Sequence, residues 1–185
     1  MMTYQMDIAG MKRDLPLCRV SDDTYIGAFV IFGDVALTIH CATELLKRAP
    51  AYDYLIAPEA KSIPLLYEMA RQSGAEKYIL ARKGPKLYMT GVFEVTVRSI
   101  TTMSLQKLVL DVKDAELMRG KRILILDDVI STGESLHAME ELVTKAGGII
   151  AGRMAILAEG AAAARHDIIY LAKLPLFNAD GTVKE

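Results

Sequence analysis

The pattern of apolar residues predicts an α/β protein with a mostly parallel central sheet flanked by helices. Three observations lead there. Short β-rich runs alternate with segments of helical spacing, the helical segments carry start and stop signals, and polar clusters follow three of the runs. In open parallel sheets, ligands bind beyond the carboxyl ends of the strands, so those clusters mark the ligand side.

The strands are expected at 54–57, 77–81, 94–101, 108–110, 122–126 and 149–157. Among the helices, Val35, Ile39, Ala42 and Leu46 share one face, with Asp34 as N-cap and Lys47 and Arg48 at the far end. A second stripe, Ile63, Leu66, Met69 and Ala70, starts at Ser62 with Pro64 in the first turn and stops near Gly74. A third, Leu136, Met139, Val143 and Ala146, is closed by Gly147 and Gly148.

The chain of 185 residues suits a single domain over 1–185 with a full core. Apolar residues make up 52% and charged residues 24%, an ordinary balance for a soluble protein. A formal net charge of -1 argues against a general grip on nucleic acid, which needs a strong basic excess. The opening MMTYQMDIAGMKRD lacks the pattern of a secretory signal, and the apolar run around Ile149 to Ala158 is broken by Arg153, so neither export nor membrane insertion is expected. Cys18 and Cys41 have no metal-ligand spacing and are expected to be reduced packing residues, the usual cytosolic state. His40, His137 and His166 suggest neither a metal site nor a triad.

The most informative stretch runs from Ile123 to Ser135. An apolar strand ends in Asp127-Asp128, two adjacent carboxylates that repel and hydrate strongly. The two cis hydroxyls of a ribose would use them, since each carboxylate oxygen accepts an O–H hydrogen bond strengthened by charge. Ser131, Thr132, Gly133, Glu134 and Ser135 then lead into an amphipathic helix. Amides at a helix start lack intrahelical partners, and the dipole favours an anion there. Gly133 lets the backbone approach, and the hydroxyls add donors. Carboxylates for hydroxyls followed by amides for phosphate fit a ribose 5-phosphate. A Walker B strand is disfavoured because no GxxxxGK[ST] loop is present, and a receiver-type acidic pocket leaves the hydroxyl-rich loop unexplained. A plain turn with an N-cap accounts for each piece alone but not for the thirteen residues in order.

ILILDDVISTGES resembles the signature of the type I phosphoribosyltransferases. The resemblance implies a parallel-sheet core, about 36–159, under a hood built mainly from 1–35 and 160–185. It further implies phosphoribosyl pyrophosphate as substrate, Mg²⁺ held mainly by that substrate rather than by direct protein ligands, a cytoplasmic homodimer, Asp127 and Asp128 on the ribose, and residues 131–135 on its phosphate. Glu134 replaces the family's usual small residue.

Glu59, Ala60, Lys61 and Ser62 match the position of the family's pyrophosphate loop, and PEAKSIPL is similar to the purine-salvage and purine-regulator branches. Arg82, Lys83 and Lys86 put three cations into five residues and resemble the RK-x-x-K element that reaches the pyrophosphate in adenine phosphoribosyltransferases. Cations there would stabilise the departing charge. Arg82 and Lys86, with the two aspartates, are the expected catalytic groups. Residues 87–93, with Gly91, are expected to form a closing flap.

FVIFGDV is similar to the hood loop of adenine phosphoribosyltransferases, which places Val30, Ile31 and Phe32 against the base; Gly33 stands where that branch has a basic residue. EVTVRSITT instead resembles the xanthine branch and purine-repressor effector domains, so the likeness is split among purine branches. Glu159 is a further candidate for the base or hood. The expected function is magnesium-dependent purine phosphoribosyl transfer, adenine first. The alternatives are xanthine, hypoxanthine or guanine as acceptor, or a non-catalytic phosphoribosyl-pyrophosphate-binding regulator.

Overall fold

The computed structural model describes residues 2–98 and 105–184. Among these, a five-stranded parallel sheet has the order β10-β9-β8-β4-β5, from β4 (Tyr54–Pro58), β5 (Ile79–Ala81), β8 (Arg122–Ile130), β9 (Ile149–Glu159) and β10 (Ile169–Leu174). Helices α1 (Val35–Leu46), α2 (Ile63–Ser73), α3 (Val112–Met118) and α4 (Glu134–Lys145) flank it. The predicted alternation of strand and helix is borne out.

The central strands are apolar on both faces because each face has its own core. Leu55, Ala57, Leu124, Leu126, Met154 and Ile156 pack with α1, α2 and the N-terminal strands. Ile56, Ile123, Ile125 and Ala155 pack with α3, α4 and the segment before α3. Successive strand residues thus divide between two cores, as the period of two requires.

Helix α1 begins where expected: Asp34 accepts from the Leu37 amide over 3.0 Å. Its buried face is rotated from the predicted one, however. Leu37, Cys41, Ala42 and Leu45 are inside, whereas Val35 and Ile39 are exposed, because apolar residues lie on both sides of this helix and the sheet selects one. Cys41 is buried as predicted, but Cys18 is exposed on β2 (Met11–Arg19). Helix α4 buries the expected stripe, and α2 buries Leu66, Met69 and Ala70 together with Leu65 while Ile63 is only half-buried; they stop at or before Gly147 and Gly74.

An antiparallel sheet covers one side, in the order β1 (Thr3–Ile8), β2 (Met11–Arg19), β3 (Tyr25–Gly27) and β11 (Leu176–Phe177). It is the hood, and it joins the two expected ends of the chain. The expected C-terminal boundary shifts, because β10 lies inside 160–185 yet forms the edge of the parallel sheet; the residues that pair with the hood strands come after it. The runs at 94–101 and 108–110 belong to β6 (Val92–Arg98) and β7 (Leu105–Asp111), an antiparallel ribbon outside the main sheet. Residues 99–101, and the end of EVTVRSITT, lie outside the described residues. The ribbon rests on α4, where Lys145 donates to the Glu94 carbonyl over 3.0 Å with its ammonium 5.8 Å from the Phe93 ring centre.

Candidate active site

Strand β8 runs four residues past its predicted end, so Asp127 and Asp128 sit within the ladder rather than after it. Both carboxylates are buried. Asp127 Oδ1 accepts from the Asp128 amide at 2.9 Å and from the Ser62 hydroxyl at 2.7 Å. Burial, followed by the adjacent Asp128 charge, pushes the Asp127 carboxyl above the usual carboxylate range; the Ser62 bond pulls the other way.

Ser62 caps α2 by position only. Its hydroxyl is spent on Asp127 and makes no bond to its own helix. This ties the Glu59–Ser62 turn to the end of β8. Lys61 Nζ lies 2.8 Å from Asp128 Oδ2, close enough for an ion pair but not directed as a hydrogen bond. That buried oxygen therefore keeps unused accepting capacity. Glu159, at the end of β9, is also raised by burial, with Lys61 opposing.

These groups line a cleft of about 710 Å³. Its walls are residues 58–62, Lys83, residues 127–129, Ser135, and Gln106, Lys107 and Leu108 of β7. The β7 residues were missed from the sequence: a strand residue carries no local sign that a ribbon will fold over a site. Ser131, Thr132 and Gly133 continue from β8 to the start of α4. Gly133, at φ 83°, occupies the N-cap position, where it has no side chain to cap the helix. The Glu134 amide lies 3.5 Å from Thr132 Oγ1. With no side chain capping it, the first turn of α4 presents backbone amides of the kind that suit an anion.

The three cations at 82–86 are not gathered on the cleft. Lys83 lines it. Arg82 turns away, with its guanidinium bonded to Glu59 at 2.9 Å and to the Tyr88 hydroxyl, over whose ring it lies at 5.9 Å. Glu59 also accepts from the Lys83 amide at 2.7 Å. Burial disfavours the Glu59 charge, but that amide and Arg82 outweigh it and hold the carboxyl below its ordinary value. Lys86 closes a turn with Met89 (3.1 Å) away from the cleft wall. The loop at 87–91 is tied at its end, Thr90 donating twice to Asp111 at 3.0 and 2.8 Å.

Of the residues expected against the base, Ile31 is fully buried among Ile8, Leu37 and their neighbours. Its side chain is a core group, because the hood closes over it. Val30 and Phe32 flank it and are exposed. None of the three lines the main cleft in this conformation. No cluster of three His, Cys, Asp or Glu side chains suited to a metal occurs among the described residues. Two buried carboxylates with an unused oxygen fit a cation that brings most of its own ligands.

The profile of the phosphoribosyl transferase domain matches residues 30–175, most of the chain. The chain belongs to that family. Among curated phosphoribosyltransferases, it is 32% identical over 108 residues to the adenine phosphoribosyltransferase of Thermotoga neapolitana, covering 58% of this chain and 59% of that one. It is 27% identical over 132 residues to the orotate phosphoribosyltransferase of Caldanaerobacter subterraneus, covering 70% and 58%. The chain thus spans less than two thirds of the length of these relatives. The phosphoribosyltransferase fold itself extends further. A structure of the adenine enzyme from Thermoanaerobacter pseudethanolicus superposes with a TM-score of 0.62 at 23% identity, over 75% of this chain and 81% of that one. The Giardia lamblia enzyme with 9-deazaadenine gives 0.64 at 17% identity, over 92% and 93%. No helix among the described residues is long and apolar enough to cross a membrane.

Proposed function

We propose that this phosphoribosyltransferase-family chain transfers ribose 5-phosphate from phosphoribosyl pyrophosphate to a purine, adenine first, and releases pyrophosphate. One observation carries the proposal: the buried Asp127–Asp128 pair lies six residues before the first residue of α4, Glu134, and is hydrogen-bonded to the Glu59–Ser62 turn. Asp127, Asp128, Ser135 of the first turn of α4 and the turn bearing Lys61 line one cleft, which supports reading them as groups for the ribose hydroxyls, the phosphate and the leaving group.

In this scheme Asp127 and Asp128 accept the ribose 2- and 3-hydroxyls, and residues 131–135 anchor the 5-phosphate. The base nitrogen attacks C1 of the sugar from one face while the C1–O bond to pyrophosphate breaks on the other. Pyrophosphate departs with both bonding electrons, and the proton on the attacking nitrogen passes to solvent or a nearby carboxylate. Positive charge develops on the sugar during C1–O cleavage, and the buried carboxylates stabilise it without reorganising. Lys61 and Lys83 meet the negative charge of the departing group. Mg²⁺, carried by the substrate, would neutralise pyrophosphate oxygens; Asp127 and Asp128 are the residues placed to hold its hydration shell. Val30 and Phe32 remain the proposed contacts for the base, reached on closure of the hood loop. A cytoplasmic homodimer is part of the same proposal, with exposed Val35, Ile39 and Tyr67 along one shallow groove as apolar surface for it.

A second reading, a regulator that binds phosphoribosyl pyrophosphate without turning it over, is favoured by Arg82, which is engaged by Glu59 and Tyr88 instead of facing the cleft. A pyrophosphate-release assay with Mg²⁺ and adenine, hypoxanthine, guanine, xanthine or orotate separates the two. Rapid turnover of a purine, lost in Asp128→Asn, is the expected result. Tight binding of phosphoribosyl pyrophosphate with no turnover of any base would leave the regulator, and turnover of orotate alone would replace the purine.

A further inference from the structure

Past β9, the chain makes a 3₁₀ turn, Gly160–Ala164, that ends at Arg165. Arg165 Nε and Nη2 donate to the two oxygens of Asp167 at 2.9 and 2.7 Å. This bidentate bond uses one edge of the planar guanidinium and fixes its orientation. The remaining nitrogen, Nη1, makes no hydrogen bond among the described residues. It lies 3.2 Å from the point where a Cβ on Gly133 would stand. A guanidinium pinned on one edge therefore presents the other to the loop 131–135, beside the start of α4.

Asp167 is itself held. Arg153 Nε lies 3.7 Å from its Oδ2 and is also bonded to Glu140 of α4. The order of contacts is helix, Arg153, Asp167, Arg165, loop, so Arg165 is oriented from α4 itself.

We propose that Arg165 is a ligand of the phosphomonoester in the loop 131–135, supplying a full positive charge that the amides and hydroxyls there lack. This rests on the assignment of that loop to the 5-phosphate. Gly133 is then needed twice, once for its positive φ and once because a side chain would push Nη1 away. Asp167 is the positioning residue for Arg165.

The test is calorimetric binding of ribose 5-phosphate and, separately, of inorganic pyrophosphate with Mg²⁺, to the full chain and to Arg165→Ala, Arg165→Lys and Asp167→Ala. Loss of a charged hydrogen bond should weaken ribose 5-phosphate binding about 10- to 100-fold in Arg165→Ala, with pyrophosphate affinity unchanged. Arg165→Lys should recover part of the loss, and Asp167→Ala should fall between. Equal ribose 5-phosphate affinity in Arg165→Ala and the parent overturns the proposal while leaving the site assignment standing. Parallel loss of both ligands in Arg165→Ala also overturns it, since the residue would then merely support the fold. A parent chain that binds pyrophosphate but not ribose 5-phosphate defeats the loop assignment itself.

Discussion

The Ser62 hydroxyl donates to Asp127 Oδ1 over 2.7 Å, joining two segments 65 residues apart. Because this bond favours the ionised carboxylate, Ser62→Ala should raise the Asp127 pKa further. Binding of phosphoribosyl pyrophosphate should then weaken at neutral pH by about tenfold, and its acid limb should move to higher pH. A titration of affinity against pH checks this. An unmoved limb would mean that Asp127 does not bind the sugar as a carboxylate.

Asp127 carries a stability cost in the unliganded protein. Its folded pKa is raised by burial and by Asp128, so its contribution to stability is fully present below the unfolded carboxylate pKa and is lost as pH rises through the folded one. Asp127→Asn keeps an oxygen for Ser62 and removes the buried charge. Its Tm should match the parent in acid and exceed it at pH 8, by about 2–4 °C for each kcal/mol recovered, while ligand affinity collapses. Thermal melts at the two pH values suffice.

Glu59 behaves in the opposite sense. Its lowered pKa makes its contribution present above the unfolded value and lost as pH falls through the folded one. Glu59→Gln should cost about 1–3 kcal/mol in urea unfolding at pH 7 and less in acid. Arg82, freed from its partner, should become available to the cleft, and stronger pyrophosphate binding would be the sign of it.

Under the proposed function, the loop at 30–32 separates stability from base binding. Ile31→Ala should cost about 2–5 kcal/mol, as truncation of a fully buried side chain does. Phe32→Ala, at an exposed position, should change stability by about 0.5 kcal/mol or less and instead raise KM for the base. The same KM for parent and Phe32→Ala would remove Phe32 from the base site.

Much of the core was legible because its elements carry strong local signals. Asp34, Pro64, Gly74 and Gly147 mark helix ends by chemistry that works on a few residues at a time. The 131–135 loop and the acidic pair stood out in the sequence for the same reason. The N-terminal hairpin was not, although Met6 and Ile8 alternate with exposed neighbours. Lys12, Arg13 and Asp14 interrupt the apolar pattern across the turn, and the cue that remained was the Ala9-Gly10 pair, with both residues at positive φ and the Gly10 amide bonded to Asp7. Which strands join the main sheet was also hidden. The run at 108–110 reads only as a strand, and long-range packing extends it to 105–111 and sends it into a ribbon beside α4. Arg165 escaped because a lone arginine after an alanine run has no pattern; its meaning lies in Asp167 and Gly133.

The neighbouring strands β4 and β8 pair Tyr54 with Ile123, so the two halves of the cleft are made by segments that are remote in the chain. Pairing of such segments waits on closure of a long loop. During synthesis, the turn at 59–62 leaves the ribosome well before the aspartates do. A nascent chain halted before β8 therefore holds the 59–62 turn without the carboxylate that fastens it, and the cleft has only one of its walls.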